Sequence, residues 1–425
     1  MVQKILDLHI HSKYSRSCSK DLTLPTIAKT CEIRGIDIVV TGDFTHPSWF
    51  SDIETLLEEE TAGVYRLKDQ SSRTRFILGT EVSCIKKHKE KTRRVHNLVF
   101  APSIEVVKKF NQVLIERGCN VKSDGRPILG LTSKELLEIM LQIDSRMVLI
   151  PAHAWTPWFA IFGSKSGYDT IDEAFDELAP HIFAIETGLS SDPLMNAYVS
   201  ALDRMTLISN SDAHSPQKLG REANILQFKD NASITYDSIM QILRAGNPKE
   251  FLSTIEFFPE EGKYHYDGHA ACNVVLHPNE TKKHQGLCPA CKKPLTIGVM
   301  HRVMDVATRT DAEAQAAIQI PYTSMVPLPE ILADIFSCGV NTKRVKETYA
   351  QLLAQFGNEF HFLLNTPIDA IIAAGFTDVA EALSRVRRGE LSITPGYDGV
   401  FGTVHIFGSN DDRWRIHQLG FALEK

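Results

Sequence analysis

Six short apolar runs in the first half of the sequence each lead, within a few residues, into a histidine or a carboxylate. The runs and the residues after them are 5–6 before His9 and His11, 36–40 before Asp43, 76–78 before Glu81, 147–150 before His153, 182–185 before Glu186, and 207–208 before Asp212 and His214. Polar stretches of helix length, such as 23–34 and 133–143, separate most of the runs, as in a parallel sheet or barrel. The sequence therefore predicts an α/β fold whose strand ends carry polar side chains to one face.

Histidine and acidic residues that meet at such a face have the chemistry of a metal centre. His9 and His11 lie on the same side of a strand because side chains repeat every two residues, and Asp212 and His214 have the same spacing. The other candidate ligands are Glu81, His96 and His153. Such ligands fit zinc, manganese or iron better than magnesium alone. Two or three such ions, about 3.5–4 Å apart, clamp the reacting oxygens of a phosphate ester, so we predict a metallo-phosphoesterase.

Composition sets the broad class of the protein. A length of 425 residues allows two or three domains, and 43% hydrophobic with 23% charged residues is ordinary for a soluble globular chain. No apolar run approaches the roughly 18 residues of a membrane span, and no signal peptide precedes the first strand, so we expect a cytoplasmic protein without a membrane partner. The net charge of −6 argues against wholesale coating of nucleic acid, although it allows a local basic track.

One basic track lies between two candidate ligands, Glu81 and His96. Its positive residues are Lys86, Lys87, Lys89, Lys91, Arg93 and Arg94. A solvated loop is one interpretation, but the position between site residues favours contacts with a phosphate backbone. We therefore predict DNA contacts for Lys86, Lys87, Lys89, Arg93 and Arg94.

Three of the eight cysteines fall in one short window that has the spacing of a zinc site. Cys288 and Cys291 form one knuckle, and His269 and Cys272 form a second knuckle with the same spacing, 15 residues upstream. Together they predict a closed His-Cys₃ structural zinc site, with His277 as a competitor of His269 for the fourth position. A segment with so little core depends on its metal to fold.

The pattern along the chain predicts three regions. They are a metallo-phosphoesterase barrel over 1–250, a zinc-binding module over 251–300, and a mainly helical C-terminal region with some β structure over 301–425 that contacts DNA. Apolar spacings of three and four indicate helices over 328–336 and 345–356. The glycine-rich segment 391–402 allows close backbone approach to a ligand, or forms a tight turn of the last subdomain.

Four segments resemble the ordered motifs of the polymerase and histidinol phosphatase (PHP) superfamily. They are 7–12, 78–81, 151–153 and 210–214. The resemblance implies a distorted seven-stranded (β/α) barrel with a trinuclear metal centre. It implies one metal held by His9, His11, Glu81 and Asp212, and a second held by Glu81, His96 and His153.

The sequence departs from the superfamily at the third metal site. His214 would be one ligand there, with the histidine of a Thr-Asp-His motif. Residues 41–46 instead read Thr-Gly-Asp-Phe-Thr-His, so Asp43 replaces that histidine and His46 is a near neighbour. The histidine expected soon after the first motif is also missing, which leaves open whether two or three metals bind.

Almost the whole chain resembles the endonuclease Q family of DNA-repair enzymes. The segments that carry the resemblance are 7–14, 42–49, 266–299 and 395–402. The resemblance implies two or three divalent metals (zinc, magnesium or manganese) in the barrel and one structural zinc. It also implies incision of damaged DNA on the 5′ side of uracil, hypoxanthine, xanthine or an abasic site.

Several residues have expected roles in this chemistry. Asp212 and Glu81 are predicted to act in catalysis through the metals. Asp192 either positions substrate and shuttles a proton, or caps the helix that begins at Pro193. Tyr397 and Phe401 are candidates to line a pocket for an extruded nucleotide.

Other functions stay open from the sequence. A phosphomonoesterase acting on a small metabolite would need only the barrel, and a non-catalytic zinc-ribbon scaffold would need no complete ligand set. A sliding clamp is a candidate partner, although no peptide motif indicates one. One complete site per chain makes a monomer sufficient.

Overall fold

The strands of the first half start from the apolar runs. The structure, a computed structural model, describes residues 1–408. Its first twelve strands are β1 Val2–Asp7, β2 Ile38–Val40, β3 Leu57–Thr61, β4 Val64–Leu67, β5 Arg75–His88, β6 Lys91–Ala101, β7 Ile128–Leu129, β8 Val148–Pro151, β9 Ala184–Glu186, β10 Thr206–Ile208, β11 Ala223–Phe228 and β12 Phe251–Glu256. Side chains of β2 and β8 are buried along their whole length, as expected of strands covered on both faces.

Helices join most of these strands. They are α1 Leu24–Arg34, α2 Pro47–Leu56, α3 Ile104–Glu116, α4 Ser133–Ile143, α5 Ile171–Phe175, α6 Pro193–Ala197 and α7 Tyr236–Ala245. Local sequence sets their ends: Thr132 and Glu135 form a reciprocal capping box at the start of α4, and Gly246 ends α7 in the left-handed conformation. The predicted helices over 23–34 and 133–143 are present.

The sheet is only partly parallel. Within residues 1–408 the main path runs β12-β11-β1-β2-β5, and β6 joins β5 to β8. β1, β2 and β5 are parallel, whereas β6 is antiparallel to both β5 and β8. β9 and β10 form a separate parallel pair. The α/β class is confirmed. The predicted parallel arrangement holds for β1, β2 and β5 and for β9 with β10, but not for β6, and closure of a seven-stranded ring stays a prediction.

A long hairpin accounts for this difference. β5 and β6 pair from Leu78 opposite Ala101 to His88 opposite Lys91, so the basic track is strand rather than loop. The two turn residues, Lys89 and Glu90, both have positive φ, as the tight turn of a twisted hairpin requires. Because residues 86–94 include few apolar residues, hydrophobic periodicity gave no signal for this part of the two strands, although the run 76–78 did mark the start of β5.

The chain beyond residue 256 forms a small β module followed by helices. Its strands are β13 Asp267–His269, β14 Val274–Leu276, β15 Tyr322–Ser324, β16 Ser392–Thr394 and β17 Thr403–His405, and its helices are α8 Pro278–Lys283, α9 Val299–Val306, α10 Asp311–Ala317, α11 Leu328–Phe336, α12 Lys343–Phe356, α13 Glu359–Leu364, α14 Ile368–Ala373 and α15 Thr377–Arg388. Helix α11 has the predicted bounds, and α12 begins two residues before the predicted 345.

The second half is tied closely to the first. β12 pairs with β11 and β15 pairs with β12, so the main sheet continues past residue 250. A buried ion pair joins Arg34 of α1 to Glu359 of α13, with Nη1 2.9 Å from Oε1. The division at residues 250 and 300 stays a prediction, and its last part, residues 409–425, lies outside the described residues. Across residues 1–408, every helix is too short or too polar to cross a membrane.

Candidate metal centre

The carboxylate of Glu81 lies at the meeting point of two groups of ligand atoms. One group is His9, His11, Glu81 and Asp212, and the other is Glu81, His96 and His153. Within each group the ligand atoms all lie within 4.8 Å of one another. Oε2 of Glu81 is 3.2 Å from Nε2 of His11, whereas Oε1 is 2.6 Å from Nδ1 of His96. The two oxygens therefore face different groups, which is the arrangement of a bridging carboxylate.

The strand positions explain how distant residues meet. His9 and His11 follow the end of β1 with the predicted spacing of two. Glu81 and His96 lie inside the hairpin, where Ser83 is the partner of His96, so Glu81 and His96 are diagonal neighbours on one face. The sequence placed Glu81 at a strand end, but β5 continues for seven more residues, to His88.

The backbone turns sharply where ligands follow short strands. His153, after β8, has φ 30°, and Asp212, after β10, has φ 45°. Residues with side chains adopt this left-handed region rarely, and such conformations concentrate at functional sites because the surrounding structure has to maintain them. Here the turns aim both side chains back toward Glu81, with Nε2 of His153 at 3.1 Å from its Oε1.

Buried carboxylates orient the histidines from behind. Both oxygens of Glu186 lie 3.0 Å from Nδ1 of His9, and Oε2 also accepts the backbone N–H of His153 at 2.7 Å. Oδ1 of Asp43 lies 3.1 Å from Nδ1 of His11. A carboxylate on one ring nitrogen fixes the tautomer and leaves the other nitrogen free to bind a metal. Sequence patterns alone assigned Glu186 no role, and its contact with His9 supplies one.

Burial and neighbouring charges shift the pKa values of several ligands in this cluster. Burial alone would raise the pKa of Asp212, but the His9 and His11 imidazoles lower it well below its usual range. Burial also opposes ionisation of Glu81, while His96 and Arg126 lower its pKa. Burial lowers the pKa of His96 to about 4, so its imidazole is neutral, as a metal ligand must be.

One atom tests whether these residues suit a divalent ion. Nε2 of His9 is buried and has no hydrogen-bond partner among the described residues, although it points at the carboxylates of Glu81 and Asp212, 3.5 Å from each. A buried polar atom without a partner is costly, and a metal at this point would satisfy it. Imidazole and carboxylate donors fit zinc or manganese. The residues therefore fit two metals that share Glu81.

The residues predicted for a third metal are not brought together. Oδ2 of Asp43 accepts hydrogen bonds from the Ser12 backbone, at 2.7 Å, and the Ser15 hydroxyl, at 2.8 Å, while its Oδ1 faces His11. Nδ1 of His214 lies 2.8 Å from the backbone oxygen of Asp212. Neither Asp43 nor His214 belongs to a group of three ligand atoms within residues 1–408. Asp43 thus orients His11, and a third metal held by Asp43 and His214 stays a prediction.

A second cluster lies in the module after the barrel. His269, Cys272, Cys288 and Cys291 bring their ligand atoms within 4.8 Å of one another. Cys288 is buried, and although its burial opposes ionisation, the backbone N–H groups of Cys291 and Ala290 lower its pKa to about 7. His277 lies apart from this group and caps α8, accepting the Asn279 backbone N–H at 3.3 Å. The structure thus groups His269 with the three cysteines, and His277 is not part of that group.

Comparison of this chain with solved structures shows the family to which it belongs. The chain superposes on the crystal structure of the lesion-specific endonuclease PfuEndoQ from Pyrococcus furiosus with a TM-score of 0.83 and 30% identity, over 96% of each chain. This chain belongs to the endonuclease Q family. A crystal structure of endonuclease Q with a 27-mer duplex carrying an abasic lesion at the active site also matches, with a TM-score of 0.81 and 30% identity, over 95% of this chain and 96% of that chain. The resemblance stated from the sequence is confirmed.

A family model and two sequence relatives match different shares of the chain. Residues 327–390 match the family model described as the MJ0043 C-terminal domain. Protein MJ0043 of Methanocaldococcus jannaschii is 29% identical over 255 residues, which are 59% of this chain and 31% of that protein, so the match spans about a third of its length. Protein YqxK of Bacillus subtilis is 27% identical over 419 residues, 94% of this chain and 98% of that protein. The likeness to YqxK thus runs over nearly the whole chain, as it does for the endonuclease Q structures.

One charged residue of this candidate metal centre was missed from the sequence. Nη1 of Arg126 lies 3.0 Å from Oε2 of Glu81. Arg126 lies in the polar loop before β7, where no periodic pattern or motif distinguished it from other surface arginines. Only the pairing of β7 beside β5, from Ser83 opposite Ile128, brings the loop to the cluster.

Asp192 has the contacts of a helix cap. Its side chain accepts the Met195 backbone N–H at 2.7 Å at the start of α6. Burial raises the pKa of Asp192 to about 6, and the nearby Glu260 charge adds to the effect. This geometry accounts for the residue structurally, and a catalytic role for Asp192 stays a prediction.

Most basic side chains of the hairpin that β5 and β6 form lie next to acidic side chains. Lys86 lies near Glu135 and Lys89 lies 3.1 Å from Asp176. Arg93 is buried, stacks on a tyrosine ring and pairs with an acidic side chain of α5. Lys87, Lys89 and Arg94 retain exposed or half-exposed surface. DNA contacts by these residues stay a prediction, which the structure supports least for Arg93.

Tyr397 and Phe401, the two aromatic residues predicted to line a nucleotide pocket, differ in their exposure. Tyr397 is buried, and its hydroxyl donates to Oδ1 of Asn273 at 2.8 Å, so it packs on the small β module that carries the cysteine cluster. Phe401 is 68% exposed, and Nζ of Lys263 lies 4.4 Å from its ring centre. The glycine-rich segment 391–402 forms a turn between β16 and β17 that approaches the chain's own backbone, with Gly396 N–H donating to the Glu260 carbonyl at 2.8 Å.

Proposed function

We propose that this chain is a metal-dependent, lesion-specific DNA endonuclease that hydrolyses the phosphodiester bond on the 5′ side of a deaminated base or an abasic site. The observation that carries the proposal is the pair of ligand groups that share Glu81, in a chain of the endonuclease Q family. Two divalent ions held by such groups supply the Lewis-acid charge that activates water and stabilises the leaving oxygen.

The chain's own residues prepare this reaction. Glu81 and Asp212 would hold the ions, while Glu186 and Asp43 fix the imidazoles so that little reorganisation is needed. Hydrolysis joins the oxygen of a water molecule to phosphorus and breaks one bridging P–O bond. One new strand end then carries the phosphate and the other carries a hydroxyl group.

A cavity of about 220 Å³ beside the centre supports recognition of an extruded nucleotide. Its lining includes Thr156, Trp158, Ser190, Lys263, Tyr264 and His265. Thr156 connects it to the centre, since its hydroxyl lies 3.2 Å from Nδ1 of the ligand His153. Trp158 is 43% exposed and offers a face for stacking, and Lys263 offers N–H donors to a keto oxygen created by deamination. We therefore assign lesion recognition to this cavity, with Phe401 at its rim beside Lys263.

The first test is incision of labelled duplexes that contain uracil, hypoxanthine, xanthine or an abasic site, each beside an undamaged duplex. Assays with Mg²⁺, Mn²⁺ or Zn²⁺ would compare the native protein with Asp212→Ala and with Arg204→Ala, a matched surface variant whose side chain pairs with Asp172 on the protein surface. We expect a metal-dependent nick on the 5′ side of the lesion with the native protein and Arg204→Ala, and none with Asp212→Ala.

Other outcomes separate the alternatives. Release of phosphate from small esters without any nick would support a phosphomonoesterase. Binding of damaged duplex without incision under any metal would support a non-catalytic scaffold. Recognition by the cavity predicts that Trp158→Ala weakens incision at deaminated bases more than at abasic sites, because an abasic nucleotide has no base to stack. A cytoplasmic location, a monomeric state and a sliding-clamp partner stay predictions.

A further inference from the structure

A guanidinium group lies inside the metal centre although it cannot bind a metal. Nη1 of Arg126 is 3.0 Å from Glu81, and 25% of the side chain stays exposed. A guanidinium carries five N–H donors, and the bond to Glu81 uses one of them. Arg126 therefore presents further donors at the exposed side of the two ligand groups.

The loop that carries Arg126 is fixed in place. Gly125 N–H donates to the Tyr14 carbonyl at 3.1 Å, and the Pro127 carbonyl accepts Ser83 N–H at 3.0 Å, next to Glu81 on β5. The N–H of Arg126 donates to Oδ1 of Asp124 at 3.1 Å. Anchors on both sides of Arg126 hold its backbone, so less conformational freedom is lost when the side chain binds a ligand.

This loop occupies the side of the centre where a third metal was expected. A Cβ atom on Gly125 would lie 2.3 Å from Oδ2 of Asp43 and 2.4 Å from the hydroxyl of Ser15. Glycine is thus required for the loop to approach Asp43, the residue expected to hold that metal. Asp43 faces His11, His214 is turned to a backbone oxygen, and the guanidinium of Arg126 brings a permanent positive charge to this side of the centre.

We propose that Arg126 binds the scissile phosphate and supplies, in this chain, the positive charge that a third metal would supply on this side of the centre. The identity of the substrate rests on the proposed function, but phosphate binding by Arg126 does not. The planar fork of a guanidinium matches two oxygens of a phosphate, which a lysine ammonium group does not do.

Calorimetric titration of the metal-loaded protein with inorganic phosphate tests the proposal without DNA. We expect Arg126→Met to weaken phosphate binding about 10- to 100-fold, the effect of losing a charge-assisted hydrogen bond, and Arg126→Lys to recover part of it. Arg146→Met is the matched control, because Arg146 lies at the start of β8, away from the His153 end, and pairs with Asp144 at 2.8 Å. Absence of saturable phosphate binding by the native protein, or equal affinity in Arg126→Met, overturns the proposal.

Metal analysis separates phosphate binding from a structural role. We expect three metal ions per native chain, two in the barrel and one in the cysteine cluster, and the same number in Arg126→Met. Four ions in the native chain would show a filled third site and overturn the replacement of that metal by Arg126. Loss of barrel metal from Arg126→Met would show that Arg126 maintains the ligands, and would also overturn the proposal.

Incision kinetics then connect the residue to the reaction. With lesion-containing duplex, we expect Arg126→Met to lower kcat about 10- to 100-fold, while a phosphorothioate at the scissile position lowers it less in the variant than in the native protein. Equal incision rates in the native protein and Arg126→Met would overturn the role proposed for Arg126 and leave the proposed function standing. Failure of the native protein to cut any lesion, with phosphate binding still dependent on Arg126, would reject the proposed function and leave Arg126 as a phosphate-binding residue.

Discussion

The two metal clusters of this molecule are assembled over very different lengths of chain. The barrel centre collects ligands from His9 to Asp212, on strands of the main sheet and in the turns after β1, β8 and β10, and most of them are buried. The cluster of the zinc-binding module collects its ligands between His269 and Cys291, and Cys291 is exposed. A sheet with a large core holds the first set, whereas short turns hold the second.

This difference indicates which cluster needs its metal in order to fold. The carboxylates of Glu186 and Asp43 fix the barrel histidines, so the fold itself positions that centre. Turns around the cysteine cluster have little core of their own, and a metal would replace the missing core as the main stabilising contact. Metal in the barrel should therefore matter for chemistry, and metal in the module for structure.

The largest effect should come from removing the shared ligand. We expect Glu81→Gln to lower incision by about three orders of magnitude or more, because the ligand that both groups share loses its negative charge and one of its two oxygens becomes an amide nitrogen. Its far-ultraviolet circular dichroism and melting temperature should stay close to native if the sheet positions the centre. Global unfolding of Glu81→Gln at 25 °C would contradict the comparison, since the barrel would then depend on its metals to fold.

The reverse result is expected for the module. We expect Cys288→Ser, or treatment with a chelator, to open the segment 267–297 to proteases while fragments of the first 250 residues stay resistant. Cys119→Ser, at a half-buried cysteine outside the cluster, is the control and should leave the protease pattern unchanged. Equal protease resistance of Cys288→Ser and native protein would show that the module folds without its metal.

A smaller effect should follow from loosening the support behind the barrel ligands. Glu186→Gln replaces a carboxylate that contacts the His9 ring and the His153 backbone, so we expect barrel metal affinity and incision to fall about 10- to 100-fold. Competition with a coloured chelator would measure the affinity, and Glu105→Gln on the exposed face of α3 is the control. An unchanged metal affinity would show that the sheet alone orients His9.

The last prediction concerns stability at the junction between the two regions, with no effect on incision expected. Burial raises the pKa of Glu256, the last residue of β12, to about 7, although hydrogen bonds from Ser209 and Thr254 oppose the shift. The folded state then keeps a proton that the unfolded state loses near pH 4.5, so this group lowers the free energy of unfolding as the pH rises from about 4.5 to 7.

Glu256→Gln removes that titration. We expect the variant to gain up to about 3 kcal/mol relative to the native protein between pH 5 and pH 8, measured by denaturant unfolding of the metal-loaded protein. Glu105→Gln should show no such gain, because Glu105 lies on the exposed surface. A stability difference that does not change with pH would mean that Glu256 is already ionised at pH 5.

Local patterns in the sequence were enough to predict much of the fold. Runs such as 147–150 and 207–208 lie close to β8 and β10, and α11 has the predicted bounds, because burial in a strand or helix leaves a period in hydrophobicity. The basic hairpin was missed for the same reason. Residues 86–94 have no apolar period, and the strands are held there by backbone pairing with each other.

The sequence by itself determined the residue types of both clusters and, through their motifs, the family. It also determined the local geometry of the cysteine cluster, since ligands close in sequence can meet only through short turns. Tertiary structure alone decided that Asp43 orients His11, that Glu186 holds two ligands, and that Arg126 faces Glu81. These contacts join residues between 32 and 177 positions apart, and no local pattern records a partner at that distance.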